Sequence, residues 1–269
     1  MQRIRILISL FVLMAIFVPG GAQASGQEPL EPQPAPVSDL PNYLAYLAWQ
    51  LRAKHMDESG EITGKIEKAV LDHMQKWLEA DSSRAQSIPA RRELERIFYN
   101  LKYPTGAKPS CFHRSWKGST LLGVGYSLSW THFNRANVLA LFEVNAGKVR
   151  LAAVTHFVPM VDLRYKFHPP VGSDDFWFFV WGMRPGKSQQ RLSTVLYTFN
   201  GETLKSLWEI RDVYDGKLNV GEKKVTLKYL DEKEYIQEQI YNRKPPRHLA
   251  TYIIHPDRLE LESDIEIPF

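Results

Sequence analysis

The chain has 269 residues, 44% of them hydrophobic, with 34 Lys plus Arg against 30 Asp plus Glu and a single cysteine. Arg3 and Arg5 supply part of the small positive excess, so the chain beyond them is close to neutral, which excludes the broad basic field of a nucleic-acid or acidic-membrane binder. A lone cysteine excludes an internal disulfide, and a chain of this length can bury a full core without one.

The first predicted element is an export signal over residues 1 to 24. Met1-Gln2-Arg3-Ile4-Arg5 carries two positive charges and no acid, and the apolar run from Ile6 to Val18 is shorter than the roughly 20 residues a membrane span needs. Pro19-Gly20-Gly21 break the run, and Ala22-Gln23-Ala24 offers the small-x-small pattern of a signal peptidase site, so cleavage is expected after Ala24. The absence of a cysteine after the run argues against a lipid anchor of the bacterial lipoprotein kind. The mature protein is therefore expected in the periplasm or outside the cell. No later window has the length of a span, so no transmembrane segment is expected in the mature chain.

Residues 25–41, rich in Pro, Glu and Gln, read as a flexible linker ending at the capping residues Ser38-Asp39. Residues 42–103 read as helical. Leu44, Leu47, Ala48 and Leu51 recur at helical spacing, as do Ile62, Ile66, Val70, Met74, Trp77 and Leu78, and a third stripe runs from Pro89 through Leu94, Ile97, Phe98 and Leu101. From residue 104 to 269 the period becomes that of antiparallel β-structure. Leu122, Val124, Tyr126, Leu128 and Trp130 alternate with Gly123, Gly125, Ser127 and Ser129, which predicts a strand with one apolar face and one small-residue face. Strands follow at 138–144 and 149–154, and Phe176 to Trp181, apolar on both faces, predicts a strand covered on both sides. Asn200-Gly201 and Gly221-Glu222 mark hairpins, Asp215-Gly216 reads as a turn between them, and residues 232–241 are compatible with a short helix or an irregular crossing. The fold class is thus α+β: N-terminal antiparallel helices packed on a C-terminal antiparallel β-meander, with a sandwich, an open barrel and a propeller-like arrangement all compatible.

Three constellations are candidates for chemistry. Cys111 precedes His113, and in an extended segment residues two apart share a side, so an imidazole beside the thiol would lower its pKa. Asp174 and Asp175 directly precede the aromatic strand, where Trp177, Phe179 and Trp181 form a candidate aromatic surface of the kind that stacks on sugar rings near a carboxylate pair. The tripeptide Thr-His-Phe occurs twice, placing His132 and His156 as candidate metal ligands. HExxH, paired CxxC, GxSxG, phosphate-loop and dinucleotide motifs are all absent, so no cofactor is identified and enzyme activity is left open. The leading expectation is an exported binding or structural protein that recognises a protein or small ligand in the cell envelope, and not nucleic acid. The alternatives are a secreted carboxylate-dependent hydrolase of carbohydrate or envelope polymer, and a metal-binding envelope protein.

Overall fold

The computed structural model describes residues 34–53, 59–101, 106–131, 135–157, 161–184 and 189–267. The expected signal, most of the linker and His132 lie outside the described residues.

Three helices open the described chain: α1 (Leu40–Ala53), α2 (Ser59–Ala80) and α3 (Ser87–Ile97), with a single 3-10 turn at Ser82–Arg84 between the last two. The first begins earlier than its apolar stripe predicts because the Asp39 carbonyl already accepts the Tyr43 N–H at 2.9 Å. The apolar stripe of each helix is buried: Leu44 and Leu47 on α1, Ile66, Val70 and Met74 on α2, Ala90 and Leu94 on α3. Removing a leucine, isoleucine, valine or methionine side chain from water stabilises by roughly 1.5–3 kcal/mol. The polar flanks of α2 and α3 are joined by Glu93, whose carboxylate holds His73 at 2.6 Å and Arg96 at 2.6 Å.

Among the described residues eleven strands follow, in two antiparallel sheets. The first sheet contains, in spatial order, β1 (Gly106–Trp116), β2 (Ser119–Ser129), β3 (Arg135–Asn145) and β4 (Lys148–Phe157). Its apolar face, with Leu122, Val124, Tyr126, Leu128, Val138 and Phe142, forms one core with the helices. The helical region therefore packs on the antiparallel β-structure, as the periodicity predicts. The small-residue face of β2 is also accounted for. Gly123 is paired with Phe112 and lies beneath its ring, while Gly125 admits the Tyr165 hydroxyl, which donates to the Ser110 carbonyl at 3.0 Å.

The second sheet holds seven strands in the order β11-β10-β9-β8-β7-β6-β5: β5 (Val161–His168), β6 (Phe176–Arg184), β7 (Arg191–Phe199), β8 (Leu204–Val220), β9 (Lys224–Leu230), β10 (Arg247–Ile254) and β11 (Leu259–Ile267), with helix α4 (Glu232–Ile240) between β9 and β10. Its outer face packs on the first sheet through Phe112, Leu121, Leu139, Leu141, Phe176, Phe178 and Phe199. Its inner face folds over itself, so that Trp177 and Phe179 on β6 meet Val225, Ile254 and Leu259 from the far end of the sheet. Strand β6 is accordingly covered on both sides, by the first sheet and by its own sheet. The curl is pinned from β5. Lys166 Nζ donates to the Val220 carbonyl, and His168 Nε2 lies 3.1 Å and 2.9 Å from the carbonyls of Gly221 and Glu222. The edge strands β5 and β11 do not pair with each other, so the sheet is not closed into a barrel.

One turn expected from the sequence is not a turn. Asp215-Gly216 lies inside the 17-residue β8, where the register with β9 shifts between Tyr214 and Lys217. Asp212 and Asp215 take positive φ (55° and 45°), so the Asp-Gly signal marks an irregularity that bends a continuous strand, without reversing it. Among the described residues no helix is long and apolar enough to cross a membrane.

Candidate metal centre

The end of β9, helix α4 and the strands β10 and β11 bring five ionisable side chains together: Tyr229, Glu234, His248, Asp264 and Glu266. Asp231 caps α4, its carboxylate accepting the backbone N–H groups of Lys233 and Glu234 at 2.9 Å and 3.1 Å. A short acid at this position satisfies donors that the first helical turn leaves unpaired. The cap fixes the first turn of α4 so that Glu234 reaches β10, where its Oε2 lies 2.8 Å from His248 Nε2. His248 is the cross-strand partner of Glu266 on β11 and of Tyr229 on β9. Directly paired residues project to one face, and Asp264, two positions before Glu266, shares it. One ligand atom from each of Glu234, His248 and Glu266 lies within 4.8 Å of the others.

A second tier surrounds this triad. Asp264 Oδ1 lies 3.6 Å from His248 Nδ1, and its other oxygen accepts the Tyr229 hydroxyl at 2.5 Å. The Tyr229 and His248 rings lie 5.2 Å apart between centroids. The His248 side chain is 15% exposed, whereas Glu234 is 38% exposed and Glu266 is open to solvent, so the imidazole is held and the carboxylates have room to adjust.

Burial alone would lower the pKa of His248, but the hydrogen bond and charge of Glu234, together with the charges of Asp264 and Asp231, outweigh it and raise the value. Burial and the bond to Asp264 push the Tyr229 hydroxyl above its usual range, which keeps it a donor. The negative charge of the carboxylates around the imidazole can be balanced in two ways, by a proton on the ring or by a cation that the ring and the carboxylates share. One nitrogen and two carboxylate oxygens form a donor set suited to a divalent first-row metal such as zinc, which binds such atoms at about 2.0–2.2 Å. Asp264, facing the other ring nitrogen and oriented by Tyr229, occupies the place of the outer carboxylate that commonly fixes a metal-bound histidine.

The residues singled out from the sequence are distributed differently. His156 lies on the edge strand β4 with its Nε2 2.6 Å from Glu67 of α2; its side chain is 63% exposed, and the contact ties helix to sheet. Cys111 and His113 do share the helix-facing side of β1, yet burial pushes the thiol up to about 12, so it is held as a thiol and not as a nucleophilic thiolate. His113 Nδ1 instead accepts the Ser87 backbone N–H at 3.1 Å, at the start of α3. Asp174 and Asp175 fall in the bend before β6. The Asp174 carbonyl accepts the Trp116 indole N–H at 3.1 Å, and the Asp175 N–H donates to Ser173 Oγ at 3.3 Å. Trp177 and Phe179 are interior, at 1% and 0% exposure, and so form part of a core and not a surface; Trp181, farther along, lines a cavity.

The triad itself escaped the sequence reading. Its members carry no short spacing motif, and they meet only because β10 pairs with β11 in a register that sets His248 against Glu266. The available signal was Asp231 followed by acids in the first turn of a helix, a cap that the reading of 232–241 left open. Compared with protein-family models, with curated proteins and with solved structures, the chain matches none.

Proposed function

We propose that this is an exported metal-binding protein whose centre is formed by Glu234, His248 and Glu266. The observation that carries the reading is the convergence of one imidazole and two carboxylates from three separate elements, with ligand atoms within 4.8 Å of one another. The signal-like segment at residues 1 to 24 supports export, and the donor chemistry supports a divalent transition metal over calcium or magnesium, which favour oxygen alone. Glu234 lies against Nε2, leaving Nδ1 toward Asp264, so Nε2 is the nitrogen assigned to the metal. Three protein donors leave a tetrahedral ion one position for water or a ligand.

The test is isothermal titration of the metal-free mature protein with zinc, beside the variants His248→Ala, Glu234→Gln and His156→Ala. One equivalent is expected to bind, with loss or at least about tenfold weakening in the first two variants and no change in the third. Absence of saturable binding, or binding that His248→Ala retains unchanged, would overturn the proposal.

A further inference from the structure

The inner face of the curled sheet carries a second feature, built from different residues. A cavity of about 540 Å³ opens there, walled by Trp181, Met183, Leu192 and Leu218. That volume lies within the range of small-molecule pockets. The charged lining groups are Arg164, Asp215 and Lys217, the last an exposed lysine on β8. Asp215 is already neutralised, because Arg247 Nη2 donates to its carboxylate.

Arg164 is not. Residues 164, 166 and 168 of β5 alternate onto the inner face, giving a row of Arg, Lys and His. Lys166 and His168 spend their polar atoms on backbone carbonyls at the β8–β9 turn. Arg164, the member of the row at the cavity, has no hydrogen bond or ion pair among the described residues. The row across the strands makes the same point. Arg164 is paired with Trp181, and Trp181 with Thr194, so a guanidinium, an indole and a hydroxyl stand side by side. The Thr194 side chain is fully buried and its Oγ1 also lacks a partner. A buried hydroxyl is rarely left this way, but Thr194 does not itself line the cavity, so the group that faces a ligand there is the exposed Arg164 guanidinium.

We infer that this cavity binds a small amphipathic carboxylate, its apolar chain against Trp181, Met183, Leu192 and Leu218 and its carboxylate on Arg164. A guanidinium recognises a carboxylate through two parallel N–H donors, which a neutral alcohol of the same chain cannot match. The site stands independently of metal at His248, because none of the triad lines the cavity.

The experiment is isothermal titration of the full mature chain with octanoate and with octanol, on the wild type, Arg164→Gln and Arg164→Lys. Octanoate is expected to bind saturably at one site, at least about tenfold more tightly than octanol, and to lose that advantage in Arg164→Gln. Arg164→Lys, which keeps the charge without the planar fork, is expected to fall between the two. Arg164 is exposed, so Arg164→Gln should melt with the wild type, and a matching circular-dichroism melt separates lost binding from lost folding. No saturable octanoate binding, equal affinity for octanol, or an Arg164→Gln variant that binds octanoate like the wild type would each overturn the inference.

Discussion

His248 shows how one residue couples stability to pH. Its folded pKa is raised above the ordinary value of 6.5 by Glu234 and Asp264, against the opposing effect of burial. A base whose pKa rises on folding stabilises the folded state fully below its unfolded pKa, and that contribution disappears as pH climbs through the folded value. The metal-free wild type is therefore expected to melt above His248→Gln at pH 5.5 and to lose that margin on going to alkaline pH. Thermal melts of both proteins across this range check the point, and a margin that grew with pH would contradict it. A metal reverses the sign. It needs the neutral imidazole, so the stabilisation that zinc adds should increase as pH rises.

At the scale of elements, the contact of β1 with β2 is set by what a glycine leaves out. A Cβ at Gly123 would lie 2.2 Å from the Phe112 ring, and that ring also meets Tyr165, Phe167 and Phe178 in the core between the sheets. Gly123→Ala must displace an aromatic side chain that is buried among other rings. It is expected to cost about 1–3 kcal/mol, read from the midpoint of urea unfolding, and an unchanged midpoint would show that the ring moves freely. The alternation of β2 was plain in the sequence, because large and small side chains take opposite faces with period two. What lay over the small face was not, since Phe112 arrives from a neighbouring strand. Strand β8 fails as a sequence reading for the complementary reason. Asp215-Gly216 has the local chemistry of a turn, but pairing with β7 and β9 on either side holds the chain extended through it. Helix α4 became definite only with Asp231 as its cap, where the apolar period is weak and the ordering comes from side-chain acceptance of backbone donors.

Across the whole molecule, the order of layers follows from where the sequence changes period: helical stripes to about residue 100, then alternation. The two faces of β2 were legible from its alternation, though not what covers the small one. The curl of the second sheet was not, because it depends on Lys166 and His168 reaching carbonyls at Val220, Gly221 and Glu222, contacts between segments far apart in the chain. The same limit explains the candidate site. The repeated Thr-His-Phe tripeptide points to His156, which is hydrogen-bonded to Glu67, while the convergent group gathers around a histidine that no repeat marks. Side chains that come together through strand register leave no spacing to read. Both features assigned to the second sheet therefore arise from its pairing and curvature. Tyr229, beside His248, belongs to the same apolar cluster as the cavity residues Trp181, Met183, Leu192 and Leu218.

The most direct measurement of the central claim is an anomalous difference map, collected at the zinc absorption edge, from crystals of the mature protein grown with one equivalent of zinc. The account predicts a single dominant peak bound by His248 Nε2 and by carboxylate oxygens of Glu234 and Glu266, at about 2.0–2.2 Å from each. A dominant peak at His156 or elsewhere, with Glu234 still hydrogen-bonded to His248, would contradict it.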